Sequence, residues 1–356
     1  MSSVEGDPGM RDAGMRDDLA KTIDRVFEAQ CAKSVRESAE NGEWPAGLWA
    51  ALEEVGLPHA ALPESAGGSG LSFEDAMFAL RRTAYHAAPV PLAETMLASR
   101  LLAAAGLKMP RGAVTVAPVV GGERFKLAGG KVSGKTLRVP WANQCAHAVV
   151  VAESEGKDVV ALVSTDGAAG ATEKNLAGEP RTAMSFQNAS VIASARLENA
   201  ASRLATEGAL YRGVQMAGAL ERTLEYALQY ANERVQFGRA IGKFQAIQHM
   251  LAVLAGHVAA ASAAADAAVE ASVDGPDLFM VAVAKARIGE AAGRSAEIAH
   301  QVHGAMGYTR EHNLHYVTRR LWSWRDEFGN ETHWQTLLGR MVAAKGADAL
   351  WPTLTQ

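Results

Sequence analysis

A mostly helical chain with a small β-domain in its middle is the fold class that the sequence predicts, on three observations. Apolar residues recur at spacings of three and four from Leu19 to about Leu102. Near Gly112 the apolar period shortens, and short Val-rich runs alternate with Gly, Asn and Asp. Beyond Thr206 helical spacing returns and continues to the end. The expected organisation is a mobile tail over residues 1–17, a helical domain over 18–111, a β-domain over 112–200 and a helical bundle over 201–356.

With 356 residues the chain can bury a sizeable core. Its 35 Lys and Arg against 39 Asp and Glu give no electrostatic case for nucleic acid or an anionic membrane. No apolar run is expected to reach the length of a membrane span. The start M-S-S-V-E-G-D-P-G lacks the basic-then-apolar order of a secretory leader, so a cytoplasmic protein is expected. Cys31 and Cys145 are two thiols far apart, expected to be reduced and structural.

In order, G-M-R-D occurs at Gly9 and again at Gly14 with few large apolar groups, the basis for the tail. Ile23, Val26 and Phe27 mark a helix; Trp44, Leu48, Leu52 and Val55 mark another, which Gly56 should end. The loop L-P-E-S-A-G-G-S-G-L-S follows from Leu62, and its Ser72 can cap the next helix through Asp75. Strands are expected at Ala113–Pro118, Arg124–Leu127, Thr136–Val139, Ala148–Val151, Val159–Val163 and Met184–Phe186. Leu210, Val214, Ala217, Leu220, Leu224 and Leu228 share one helical face, and the Ala-rich helices after it suit a four-helix bundle with faces left for partner subunits.

One stretch of that bundle stands out, Asn232 to Gln248, N-E-R-V-Q-F-G-R-A-I-G-K-F-Q-A-I-Q. It predicts a helix-turn-helix corner that breaks at Gly238 and restarts after Gly242. Arg234 beside Phe237 and a new helix N-terminus suit a phosphate-bearing ligand, with surface packing as the alternative.

Three other patterns invite chemistry and are set aside. G-G-K-V-S-G-K-T from Gly129 to Thr136 matches a phosphate-binding P-loop, but that loop needs Lys135 to open a helix. Only 12 residues, Pro140 among them, separate Thr136 from Val149, too few for a crossover helix. Residues 131–139 are expected to form a β-hairpin instead. His300, His303, His312, His315 and His333 with Glu311 could ligate a metal, but no H-E-x-x-H pairing is present. Trp322, Trp324 and Trp334 among Arg319, Arg320 and Arg325 are expected to pack at a subunit contact rather than stack on bases.

The words themselves carry more than the spacing. Arg234-x-x-Phe237-Gly238-x-x-Ile241-x-x-Phe244-Gln245 resembles the signature of the acyl-CoA dehydrogenase family, and Q-V-H-G-A-M-G-Y from Gln301 resembles a second word of that family in the same order. The loop from Leu62 is similar to a third, V-P-E-x-x-G-G-x-G-L. The resemblance runs from about Trp44 to Arg340 and is weak in the middle. It implies an N-terminal helical domain, a β-barrel-like middle domain and a C-terminal four-helix bundle. It also implies α,β-dehydrogenation of an acyl-CoA thioester: a carboxylate takes the α-proton, FAD takes the β-hydride, and an electron-transfer flavoprotein receives the electrons.

Residue by residue, the resemblance implies that Arg234 reaches the FAD pyrophosphate of a neighbouring subunit, with Phe237 beside it. Gln301 lies near the adenosine end, the backbone of Gly304 comes close, and Gln245 belongs to the cofactor set. Ala305 departs from a glycine. Two positions that could hold the family's base carry Phe328, followed by Gly329 and Asn330, and Gly208 in the helix before the corner. Glu207 and Glu327 each lie one position away and could serve as the base of a self-sufficient homo-oligomer if the backbone is locally shifted; otherwise they are expected to be solvated surface carboxylates. The family's T-E-P-x-x-G-S-D segment has no clear counterpart beyond Val114–Pro118, and Arg138 replaces an aromatic. The chain most resembles the smaller partner in heterotetrameric enzymes of bacterial steroid side-chain degradation. It would share an FAD with a catalytic sister subunit, the alternatives being a self-sufficient homo-oligomer or a flavin-free scaffold.

Overall fold

The computed structural model describes residues 8–118 and 124–355. The chain divides into two compact units, one running to Lys174 and including Gly178–Glu198, the other made of Asn175–Ala177 and everything from Asn199 onward.

The first unit opens with α1 (Pro8–Gln30), α2 (Lys33–Glu40), α3 (Ala46–Glu54), α4 (Phe73–Tyr85) and α5 (Leu92–Ala104). α1 begins inside the span expected as a tail; residues 1–7 of that span lie outside the described residues. Ile23, Phe27, Leu48 and Leu52 are buried, as their spacing requires. Ser72 accepts from the Asp75 N–H at 3.0 Å, capping α4. In the L-P-E-S loop a Cβ on Gly68 would fall 2.0 Å from the Leu62 carbonyl oxygen, so that glycine serves the loop's own fold.

The same unit continues with β1 (Val114–Val116), β2 (Phe125–Ala128), β3 (Lys131–Pro140), β4 (His147–Ser154), β5 (Lys157–Ser164), β6 (Ala169–Lys174) and β7 (Pro180–Arg196). Strands β4, β2, β3, β7 and β5 pair in that order and β5 returns to β4, which closes a small barrel. Closure removes the open edges that a five-stranded sheet would present. Phe125, Val132, Val139, Val150, Val163, Met184 and Phe186 fill it. β1 runs parallel to β4, and Thr95 of α5 ties it down, its hydroxyl donating to the Val114 carbonyl at 3.0 Å. Residues 131–139 are one strand rather than a hairpin, because the turn falls at Gly129–Gly130 and pairs them with β2. Lys135 and Thr136 therefore sit in mid-strand opposite β7, and no helix begins there. β6 carries no apolar alternation and is exposed along its length, so its residue pattern does not mark it as a strand. Cys31 and Cys145 are buried thiols that are not joined in a disulfide.

The second unit is helical: α6 (Ala200–Glu233), α7 (Gln245–Glu270), α8 (Leu278–His303), α9 (Leu314–Asp326), α10 (Glu331–Lys345) and the short α11 (Leu350–Thr355). α6, α7 and α8 pack side by side, with α9 and α10 against α8 and α9 also on α6. Leu210, Val214, Ala217 and Leu220 are buried, while Leu228 emerges toward the exposed end of α6. Contrary to the expectation that no run reaches membrane-span length, α7 is long and apolar enough to do so by length and composition. Its alanines account for that, and Leu254, Val258, Ala261 and Ala265 belong to the bundle core.

Candidate functional site

The Asn232–Gln248 corner is more structured than a plain helix break. α6 stops at Glu233, where Arg234 turns to extended backbone and its N–H still donates to the Tyr230 carbonyl at 2.8 Å. A miniature hairpin follows, β8 (Val235–Gln236) against β9 (Arg239–Ala240), and a short 3₁₀ turn over Ile241–Lys243 leads into α7. Phe237 and Gly238 form its two-residue loop at φ +53° and +78°, the pair of left-handed residues that a type I′ turn demands. Glycine adopts that conformation freely, and Phe237 does so at a cost. The helix-turn-helix expectation is thus corrected: β-branched Val235 and the left-handed pair favour a hairpin over a bend.

The hairpin pushes Phe237 outward, 92% exposed. Its ring meets Phe244 edge-on at 6.1 Å, and Arg239 lies 4.2 Å over Phe244. Arg234 is exposed, and among the described residues its guanidinium has no ion-pair or hydrogen-bond partner. Gln245 is the exposed first residue of α7.

The second word lies where α8 ends. Gln301 is exposed in the last turn, and Gly304 ends the helix at φ +57°, ψ −140°, a conformation open to glycine. A Cβ there would meet nothing within 4 Å, so the backbone is bare to an approaching ligand. The two words are joined by rings. Tyr230, one turn before Arg234, stacks on His303 at 4.5 Å, and His312 closes on His303 at 4.5 Å. His303 is buried and its Nδ1 donates to the Ala299 carbonyl at 2.7 Å. Its Nε2 is then a lone-pair nitrogen, with no partner among the described residues. Burial pushes His303 down to about 4, and it lowers His300 and His312 as well. His300 bonds Thr318 at 3.0 Å, so these histidines are occupied by packing and local hydrogen bonds. Arg320, Trp324 and Trp334 are buried rather than displayed.

Near Gly208 the picture reverses. Glu207 is 1% exposed, and Arg203 grips it one helical turn away at 3.1 Å. Glu327 meets Arg212 at 2.7 Å, and Arg212 also reaches Gln215. Neither is the solvated surface carboxylate expected from sequence: Glu207 is paired at i,i+4 spacing within α6, and Glu327 with an arginine 115 residues away. Phe328, at φ +56°, lays its ring on Gly208, where a Cβ would fall 2.3 Å from the ring. The positions occupied by Phe328 and Gly208 therefore face one another, and no acidic side chain stands at either.

Lys285 was missed altogether. It is buried and donates to the carbonyls of Arg325 at 2.9 Å, Gly329 at 3.0 Å and Trp324 at 3.3 Å. Burial pushes its ammonium down to about 7.

The donor set around the two words fits a dinucleotide. A partnerless guanidinium suits a pyrophosphate, an exposed amide suits a polar rim, and Gly304 leaves a backbone cradle. Comparison with known proteins agrees. Residues 15–109 match the acyl-CoA dehydrogenase N-terminal domain and residues 198–329 match the acyl-CoA dehydrogenase C-terminal domain. The chain is 28% identical over 310 residues to the acyl-CoA dehydrogenase IpdE2 of Mycolicibacterium smegmatis, covering 86% of this chain and 90% of that one. The ChsE4–ChsE5 complex of Mycobacterium tuberculosis matches with a TM-score of 0.84 and 25% identity, over 92% of this chain and 97% of that one. A variant of the Tcur3481–Tcur3483 steroid ACAD gives a TM-score of 0.85 at 24% identity, over 94% and 99%. With both terminal domains matched and the helical–β–helical order in place, the chain belongs to the FAD-dependent acyl-CoA dehydrogenase family.

Proposed function

We propose that this chain is the FAD-sharing, base-lacking subunit of a two-chain acyl-CoA dehydrogenase, and that a sister chain supplies the carboxylate. One observation carries the reading: the two positions able to hold a base are Gly208 and Phe328, packed on each other, while the residues suited to the cofactor's phosphates stand exposed and ready. Arg234 would hold the pyrophosphate, Gln301 and Gly304 the adenosine side, and Phe237 and Gln245 the rim. When bound, the flavin accepts the hydride from the β-carbon of the thioester. The chain's own part is to bind and orient, since Glu207 and Glu327 are engaged by Arg203 and Arg212.

The ChsE4–ChsE5 neighbour is a complex in its own description, which supports a heteromeric partner; a heterotetramer is the arrangement proposed. α7 leaves room for a partner subunit, whether a second copy or a sister chain, since Leu254, Val258, Ala261, Ala265, Ala268 and Val269 are its residues buried within the chain. A steroid-derived acyl-CoA as substrate, an electron-transfer flavoprotein as acceptor and a cytoplasmic setting complete the proposal.

Expression of the chain alone and with a candidate acyl-CoA dehydrogenase-like sister chain, followed by visible spectra, tests this. Flavin colour appearing only in the co-purified pair is the expected result. Colour with the chain alone, together with acyl-CoA-dependent bleaching, would establish the self-sufficient homo-oligomer, and no colour in either case would establish the scaffold.

A further inference from the structure

A mid-helix glycine is unfavourable by itself, and T-E-G-A-L around Gly208 otherwise consists of residues that tolerate a helix. The reason for it is local: three carbons of the Phe328 ring lie 2.3–2.6 Å from the place that a Cβ would take. The ring is not free to swing away. Phe328 is held at φ +56° in a turn where the Trp324, Arg325, Phe328 and Gly329 carbonyls accept from side chains. The Trp334 indole N–H lies 3.1 Å from both the Phe328 and the Gly329 carbonyls. Lys285 takes the Gly329, Arg325 and Trp324 carbonyls. On one side Arg212 fixes Glu327; on the other Arg325 reaches Glu331 at 2.8 Å. The turn between α9 and α10 is thus bolted from four directions around an aromatic ring that is only half-buried.

We infer that Phe328, seated on Gly208, is a plug that closes the acyl end of this chain's own substrate position, so that this chain gains nothing from the acyl group of a thioester. The inference rests on the base-lacking reading above and deepens it. A base was not only lost at two positions; the space it would share with the substrate's reacting carbons is filled by a side chain that the fold holds rigid. Phe328 is a specificity-determining residue on this account, and Gly208 its seat.

Two measurements on the full chain test this, neither requiring turnover. In calorimetric titrations with coenzyme A and with octanoyl-CoA, the native chain should bind both equally. Phe328→Ala should prefer octanoyl-CoA by about tenfold, the return from burying roughly two methylenes. An octanoyl preference already present in the native chain, or none in Phe328→Ala, would overturn the plug. Second, Gly208→Ala should lower the Tm of the native chain, where the new Cβ meets the ring, yet raise it in the Phe328→Ala background, where alanine simply favours the helix. A rise in both backgrounds would show that the ring does not sit there. Flavin spectra keep the two readings apart. Colour in the chain alone, without an octanoyl preference, would sink the shared-cofactor reading and leave the plug standing.

Discussion

The two ends of α6 have been put to opposite uses. Gly208 and Arg234 lie roughly 40 Å apart along the helix, at about 1.5 Å per residue. Around Gly208 the space is filled: Phe328 covers the glycine, and Glu207 and Glu327 are paired with Arg203 and Arg212. Around Arg234 the side chains wait: its guanidinium has no partner among the described residues, and Phe237 is 92% exposed in a strained turn. The difference separates stability from binding. Groups satisfied within the chain contribute to holding the bundle, and groups left open contribute only when a ligand or a partner arrives.

The largest expected effect breaks the closed end. Lys285→Met removes the donor to three backbone carbonyls around the Phe328 turn, and a buried carbonyl left without a donor costs about 1–3 kcal/mol. Trp334 still donates to the Gly329 carbonyl and the Glu327 N–H to the Trp324 carbonyl, so the loss should be ~1–3 kcal/mol in urea unfolding, while flavin retention by surviving folded protein stays close to native. A loss below ~1 kcal/mol would mean that the turn holds itself. Comparable loss of flavin and stability would mean that the two ends are not separable.

The open end was largely legible in the sequence, and the closed end was not, for a physical reason. Arg234, Phe237, Gln301 and Gly304 belong to short contiguous words, so order and spacing single them out before any packing is known. Even there the hairpin was missed, because Phe237 at a left-handed position defies its own propensity. The closed end depends on residues far apart in the chain. Gly208 reads as a flaw in a helix until the ring of Phe328 is placed on it. Lys285, in V-A-V-A-K-A-R-I-G, reads as a solvated lysine until three carbonyls of the α9–α10 turn converge on it. Glu327 reads as a surface carboxylate for the same reason, Arg212 being identified only by packing; Glu207 had its i,i+4 partner Arg203 in the sequence, and only its burial was hidden. The P-loop word failed a test that sequence could apply: Pro140 and the short spacing ruled out its helix, and Lys135 lies in β3.

A smaller effect probes what joins the open end together. Burial holds His303 at about 4 in the folded chain, against an ordinary value of 6.5. Between those values the unfolded chain binds the proton and the folded chain does not, so stability is present above pH 6.5 and is lost as pH falls toward 4. The full span amounts to about 3 kcal/mol. His300 and His312, also lowered by burial, act in the same direction. His303→Phe keeps a ring against Tyr230 but cannot be protonated, so its urea midpoint should change less between pH 6.5 and 4 than that of the native chain. An equal pH dependence in the two proteins would remove His303 from the account.

The smallest effects sharpen the contrast by separating its two terms at one corner. Arg234→Ala should leave stability within ~0.5 kcal/mol of native, as a surface substitution without partners does. It should weaken flavin retention in the co-purified pair by ~1.5–3 kcal/mol, the range for a hydrogen bond to a charged group. Phe237→Asn goes further, because the two terms should move in opposite directions. Asparagine accepts the left-handed conformation that phenylalanine resists, and relief of that strain is worth roughly 1 kcal/mol of stability. An exposed ring that serves no ligand would have no reason to sit at φ +53°, so the same variant should retain less flavin. A more stable variant that binds flavin as well as the native pair would identify Phe237 as an accident of the turn. A more stable variant that binds it less would show that the open end keeps its strain for the cofactor.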